Sequence, residues 1–430
     1  MLMTNNCGEL RAEHAGQHVT LCGWLEFHRI QGKLSFILLK DRYGTTQVFV
    51  NPTLTKELGE LRRETVLQIK GEVKKRPDNQ VRKDMLTGEI ELSAQEVKVI
   101  SEAEAPLPID LSDESTTSMD KRIDFRFLDM HRKKTQAIFI IQSEIAHAFR
   151  EYFYKEGYVE MQPPCIISAA SEGGTDLFPV QYFEKKAYLA QSPQLYKQML
   201  ACSIGKTVTV TPVWRAEKHN TPRHINEIRQ MDIEVAFLDQ TEIMNELEKA
   251  VKYIVQQVLE NCMKELGILG VKELKIPKGV YLPYVEAVKK INGIAGEDLT
   301  PEQEKKLCAM YPDDIVFVHS WPSSIKPFYI MPKGMDPDAD MSEGFDALYG
   351  GIEISSGGQR IHLPELLIAR LKAKGLNPDD FKSYIDSFRF GAPPHSGWSI
   401  GLERLTQIIC GLDNIKEATM FPRDRDRITP

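Results

Sequence analysis

Between Val208 and Phe237 the chain reads VTVTPVWRAEKHNTPRHINEIRQMDIEVAF, two apolar stretches separated by a loop crowded with charge. Val208, Val210 and Val213 lie among threonines and lead into Trp214, while Met231, Ile233, Val235 and Phe237 alternate with Asp232 and Glu234. Period-two spacing of this kind predicts half-buried strands. The loop between them carries Arg215, Glu217, Lys218, His219, Asn220, Arg223, His224, Glu227 and Arg229, more charge than a turn needs. Taken alone it would pass for a solvated hairpin.

At 430 residues the chain exceeds the usual single-domain size, which predicts two or more domains. A formal charge of −7 argues against wholesale binding to nucleic acid and is compatible with a local basic face. The seven cysteines are scattered singly, without CxxC pairs, so neither a zinc site nor a disulfide framework is expected and a reducing compartment fits. The start, MLMTNNCGELRAEH, lacks an apolar signal core, and no run of about 18 apolar residues occurs. A cytoplasmic protein with no membrane segment is therefore expected.

From about Gln17 to Ile100 short apolar runs such as VTLCGWLEF, LSFILLKD, TTQVFV and VLQIKGEV alternate with Gly, Pro and Asp-Arg turns. Five or six strands in this length suit an oligonucleotide-binding (OB) barrel, although other small barrels read similarly. Lys70, Lys74, Lys75, Arg76, Arg82 and Lys83 cluster about one strand and its loop. Residues 103–134 are expected to be a linker, opening on a Pro- and acid-rich stretch without periodicity. An amphipathic helix follows, with Ile138, Ile141, Ile145, Phe149 and Tyr152 on one stripe, either core or subunit interface. Residues 267–315 are expected to be a helical insertion in a second domain spanning 135–430, after a first domain of 1–102. The fold class is α+β: a five-stranded barrel, then an antiparallel sheet flanked by helices.

Two further stretches embed charge in apolar text. In FDALYGGIEISSGGQRIHL, Asp346 and Glu353 are acids among buried-looking residues and Arg360 follows a Ser-Ser-Gly-Gly run. Two such carboxylates can share a magnesium ion with substrate phosphates. In GWSIGLERLTQIICGL, small residues precede a helix whose early Arg404 could clamp a phosphate with its planar fork. Singly, each is more often a structural ion pair; together with the charged hairpin they describe a magnesium-nucleotide site.

With these stretches in hand the chain resembles the class II aminoacyl-tRNA synthetases, most closely the aspartyl enzymes of the archaeal type. GYVEMQPP matches the family's first motif at the dimer interface, WRAE with its loop and MDIEVAF the second, and GLER the third; neither HIGH nor KMSKS occurs. The resemblance implies an OB-fold anticodon-binding domain, a homodimer through residues 138–164, ATP as substrate and Mg2+ as cofactor. It implies that Arg215 holds the α-phosphate and the attacking carboxylate, that Glu217 contacts the adenine side or the tRNA end, and that Arg404 binds the γ-phosphate. His224 would approach the phosphates, and Asp346, Glu353 and Ser356 would hold the metal. Lys197 of QSPQLYKQ, oriented by Asp232, and Arg360 would take the side-chain carboxylate of aspartate, while Ser192, Gln194 and Glu172 would serve its amino group. Two cations favour aspartate over asparagine, because a neutral amide leaves buried charge uncompensated. Asparaginyl relatives resemble SGQL-x-x-E at this point. Phe36, Gln47 and Glu91 would read the anticodon, and Lys218, His219, Asn220, Thr221 and Arg223 would meet the acceptor end. One departure stands out: the family's adenine-stacking aromatic is here Ile228. The expected activity is aspartate–tRNA ligation on tRNA(Asp), with tRNA(Asn) as an open second substrate. An amide-forming paralogue and a noncatalytic tRNA-binding protein are the competing classes.

Overall fold

The computed structural model describes residues 2–168 and 177–430, and its contacts divide the chain into two units that meet between Thr117 and Ser118. In the first, β1 (His18–Gln31), β2 (Leu34–Lys40), β3 (Thr45–Val50), β4 (Val66–Lys75) and β5 (Ile90–Ser101) close into a barrel in the order β1-β2-β3-β5-β4. Alternation explains why: Ser35, Ile37 and Leu39 of β2 and Thr46, Val48 and Val50 of β3 are buried, and the residues between them are half-buried. Inside, Leu21, Ile37, Val48, Ile69 and Leu92 are fully buried. Outside, Phe36 pairs with Phe49 and Leu38 with Gln47 across the β2–β3 ladder.

Residues 103–134 are not a linker throughout. Met119–Asp124 and Arg126–Asp129 are helical, and Arg126 shows why they fold back. Its guanidinium is buried, pairs with Asp129 at 2.7 Å, and donates to the carbonyls of Lys416, Thr419 and Met420. A buried charge is tolerated when every face is paired in this way.

The second unit is built on eight of its strands. β6 (Val159–Glu160) comes first; β7 (Ile166–Ile167), β8 (Pro179–Tyr182) and β9 (Lys185–Leu189) form a small separate sheet. Then follow β10 (Lys206–Trp214), β11 (Glu227–Ala236), β12 (Gly279–Pro283), β13 (Ile315–His319), β14 (Gly344–Tyr349), β15 (Ile352–Gln359) and β16 (His395–Gly401). The large sheet runs β12-β13-β14-β15-β16-β11-β10-β6. Its middle is antiparallel as expected, but both edges are parallel, β12 with β13 and β10 with β6. Parallel neighbours need a crossover connection. Between β12 and β13 the helices Tyr284–Ile291 and Pro301–Cys308 make it, so the expected helical insertion also lengthens the sheet.

Helices Lys133–Lys155 and Gln240–Asn261 cover one face of this sheet. Ile138, Ile141, Ile145 and Phe149 pack with Ile254, Met231, Ile233 and Val235 in a single core. The helix stripe is thus core rather than interface. Strand β11 serves both faces, because successive side chains point to opposite sides. Met231, Ile233 and Val235 enter the helix-covered core, while Gln230, Asp232 and Glu234 are buried on the other face. Phe237 breaks the expected alternation: the strand ends at Ala236, and Phe237 has φ 65° and is 77% exposed.

Candidate active site

On the sheet face opposite the two long helices lies a cleft of about 430 Å³. Its walls come from β11, β15 and β16, from the loop joining β10 to β11, and from the start of helix Leu402–Ile409.

At one end is a buried network of four charges. Lys197, on the helix Gln194–Ile204, donates to Asp232 Oδ1 at 2.8 Å and to the carbonyl of Trp398 at 3.1 Å, with Glu234 at 3.5 Å. Arg360 meets Glu234 with two prongs, Nε to Oε1 at 2.9 Å and Nη2 to Oε2 at 3.3 Å. Burial works to raise the Glu234 carboxyl, but Arg360 and Lys197 outweigh it and hold it below the ordinary range. Space for this carboxylate is made by Gly397, which stands opposite Glu234 in the β11–β16 ladder; a Cβ there would collide with it. Glu234 is absent from the expected site, although its place two residues beyond Asp232 on one strand face signalled it. The two cations are therefore already matched by two acids. Asp232 and Arg360 line the cleft, whereas Lys197 lies behind its wall and is 1% exposed.

Toward the other end, Arg215 and Glu217 follow β10, and Arg223 and His224 approach from the far side of the loop. The Asn226 side-chain amide draws the loop together, donating to the carbonyls of Arg215 at 2.7 Å and Glu217 at 3.1 Å. Burial lowers the His224 pKa, Glu217 opposes the shift, and Arg404 and Arg223 add to it. Arg404 donates to the Glu353 carbonyl at 2.8 Å, and Ile228 supplies an apolar patch of the wall. Two further acids belong here that sequence patterns did not indicate. Glu304, from the 267–315 segment, accepts from Arg223 at 3.3 Å, and burial with Glu353 nearby pushes its carboxyl up to about 7. Glu403, buried beside the cleft, accepts the Arg229 backbone N–H at 3.1 Å.

Asp346 and Ser356 face each other across β14 and β15, and Glu353 lies on the same β15 strand. Lys326, not foreseen, pairs with Asp346 at 2.5 Å. Burial, with Glu353 adding to it, still pushes the Asp346 carboxyl up to about 6, Lys326 opposing. Hard oxygen donors with more negative charge than Lys326 cancels suit magnesium, which binds one or two carboxylates and leaves its other positions to phosphate and water. Among the described residues no three His, Cys, Asp or Glu side chains are placed to hold a metal by themselves.

Ser192 and Gln194 line the cleft, and Gln194 Nε2 and Gln230 Oε1 are buried there without a hydrogen-bond partner among the described residues. Such atoms call for a polar ligand. Glu172 lies outside the described residues. Lys218, His219 and Asn220 are exposed at the loop tip, with Thr221 half-buried and bonded to His224 at 2.6 Å. In the barrel, Phe36 is half-buried on the outer face and Gln47 donates to Glu91 at 3.2 Å.

This arrangement can be set beside known proteins. Residues 118–425 match the family described as tRNA synthetases class II (D, K and N), and residues 19–100 match the OB-fold nucleic acid binding domain. The chain belongs to the class II aminoacyl-tRNA synthetases. Similar sequences include the aspartate–tRNA(Asp/Asn) ligase of Archaeoglobus fulgidus, 42% identical with 98% of this chain and 99% of that one covered. The aspartate–tRNA(Asp) ligase of Thermoplasma volcanium is 41% identical with 98% and 99% covered. Among solved structures, the asparaginyl-tRNA synthetase of Pyrococcus horikoshii with asparaginyl-adenylate superposes with TM-score 0.90, 31% identity and both chains fully covered (100% each). A putative aspartyl-tRNA synthetase from Leishmania major gives 0.88 at 28% identity, covering 98% of this chain and 93% of that one. The synthetase fold is thus shared by enzymes named for two amino acids.

Proposed function

We infer that this synthetase is an aspartate–tRNA ligase. The observation that carries the reading is the single cleft with Arg215, Arg223, His224 and Arg404 at one end and the Arg360–Glu234–Lys197–Asp232 network at the other. ATP lies with its phosphates toward the arginines and its purine against Ile228. The α-carboxylate of aspartate attacks the α-phosphorus, an O–P bond forms, and the bond to the β-phosphate oxygen breaks, releasing pyrophosphate. The terminal ribose hydroxyl of tRNA then attacks the acyl carbon and AMP leaves with its phosphate oxygen. No protein nucleophile is needed; fixed positive charge and positioning do the work. Asp346, Glu353 and Ser356 would hold a magnesium ion, which would supply neutralisation of phosphate charge.

The side-chain carboxylate of aspartate is received by Arg360 and Lys197. In support, Nη1 of Arg360 takes no part in its two bonds to Glu234. Ser192 and Gln194 serve the amino group. Phe36, Gln47 and Glu91 bind the anticodon by stacking and hydrogen bonds, and the loop tip from Lys218 to Arg223 receives the acceptor end. The substrate is tRNA(Asp). Charging of tRNA(Asn) is the second reading, favoured by the dual name of the Archaeoglobus relative. A cytoplasmic homodimer is proposed through helix Lys133–Lys155 and edge strand β6, where Ile140, Tyr154 and Val159 are exposed. Among the described residues no helix is long and apolar enough to cross a membrane. The test is pyrophosphate exchange into ATP: aspartate must drive it, and exchange with asparagine alone would overturn the reading. Charging assays on purified tRNA(Asp) and tRNA(Asn) decide between the two tRNA readings.

A further inference from the structure

The loop from Arg215 to Asn226 carries five cleft residues yet belongs to no helix or strand. What holds it comes from a distant part of the chain. The Ile415 N–H donates to the Pro222 carbonyl at 2.9 Å, and the Asn226 N–H donates to the Arg423 carbonyl at 2.7 Å. Arg425 donates to the Lys218 carbonyl at 2.8 Å. The Asn220 amide is held on both sides, donating to Asp426 at 2.6 Å and accepting from Lys416 at 2.9 Å. Lys416 pairs in turn with Asp424 at 2.6 Å. The loop is thus gripped at its tip, at Lys218 and Asn220, and along its return, at Pro222 and Asn226, by residues 415–426.

That segment is itself anchored from the other side. Arg126 donates to the carbonyls of Lys416, Thr419 and Met420, Arg122 pairs with Glu417 at 2.8 Å, and Arg427 pairs with Asp124 at 2.6 Å. Lys416, Arg425 and Asp426 do not line the cleft.

We propose that residues 415–427 are a brace that keeps the 215–226 loop in the shape that turns Arg215, Glu217, Arg223 and His224 into the cleft, with Lys416, Arg425 and Asp426 as positioning residues for ATP. A loop fixed before binding does not lose its conformational freedom when ATP arrives, and a loop that is competent only part of the time weakens apparent affinity by that fraction. The aspartate end of the cleft hangs on the helix Gln194–Ile204 and strand β11, which the brace does not hold. The kinetic consequence rests on the aspartate–tRNA ligase reading; the structural one does not.

Arg425 and Asp426 are exposed, so the double variant R425A/D426A keeps the core intact. Backbone hydrogen exchange of residues 217–224 is expected to speed up at least about tenfold, as opening grows easier. In pyrophosphate exchange KM for ATP should rise roughly five- to tenfold, with kcat and KM for aspartate within about twofold of wild type. Unchanged loop exchange would overturn the brace, as would a rise in KM for aspartate that matches the rise for ATP. R126K, which keeps the charge and loses the fork, should act in the same direction from the anchor side. If the wild type catalyses no aspartate-dependent exchange, the ligase reading fails, and hydrogen exchange still tests the brace.

Discussion

Replacing Lys197 by Met tests the four-charge network most directly. The lysine is 1% exposed and lies 2.8 Å from Asp232, 3.5 Å from Glu234 and 3.1 Å from the Trp398 carbonyl. Its removal leaves Arg360 alone against two buried acids. Deleting one partner of a buried pair typically costs about 3–5 kcal/mol, because the remaining charge is uncompensated. The thermal midpoint should fall accordingly. Since Lys197 helps hold the Glu234 carboxyl down, that pKa rises in the variant, so the folded form takes up a proton more readily. The stability deficit should therefore shrink as pH falls. Aspartate would bring a third carboxylate into a region already short of a cation. A loss of about 2 kcal/mol in its binding is the least expected, roughly thirtyfold in KM. Asparagine carries no such charge, so discrimination between the two should fall. The assay is amino-acid-dependent pyrophosphate exchange over a range of aspartate and asparagine concentrations, beside thermal unfolding at two pH values. A KM for aspartate within about threefold of wild type, in a variant that unfolds earlier, would refute the argument and leave Lys197 a structural cation.

Ile228→Phe should lower KM for ATP by roughly three- to tenfold, since an aromatic face adds about 0.5–1.5 kcal/mol of stacking; ATP titration in the exchange assay reads it. Glu304→Gln removes the carboxylate that holds Arg223 at 3.3 Å, and KM for ATP should fall by roughly threefold or more as the guanidinium turns to the phosphates. Burial pushes the Glu403 carboxyl up to about 7 from its ordinary 4.5. Between those values the folded chain keeps a proton that the unfolded chain has released, so wild-type stability declines as pH rises through the window. Glu403→Gln should flatten that slope, as followed by denaturant unfolding from pH 4.5 to 8.

What could be read in advance was whatever depended on local periodicity. Strand β11 shows its two faces in its spelling, Met231, Ile233 and Val235 against Asp232 and Glu234, and the barrel strands do the same. Charge within apolar text also points to Asp346, Glu353 and Arg404; Glu353 and Arg404 line the cleft, and Asp346 pairs across the ladder with Ser356, which lines it too. The partners that neutralise them were out of reach. Lys326 lies 20 positions from Asp346, and Glu304 lies 81 from Arg223, each on a segment with no pattern of its own. Such pairings are made by tertiary contact, which a single chain's text does not encode locally. Residues 119–129 were missed for the same reason: the anchor for their buried arginine lies about 290 residues further on. Phe237 leaves the alternation because the strand ends one residue earlier, where the backbone turns to a positive φ that spacing cannot reveal.

The glycine opposite Glu234 deserves a different kind of scrutiny from the charged residues around it. Gly397 offers no functional group and would escape any search for reactive side chains, yet a single methyl there evicts the anion that Lys197 and Arg360 share. The balance of the four-charge network then hangs on an atom that is missing. Filling the hollow in β16 would change the charge balance behind the cleft without touching any residue that lines it. Surveys that ask how synthetases changed allegiance between acid and amide should therefore score position 397 together with the charges it accommodates.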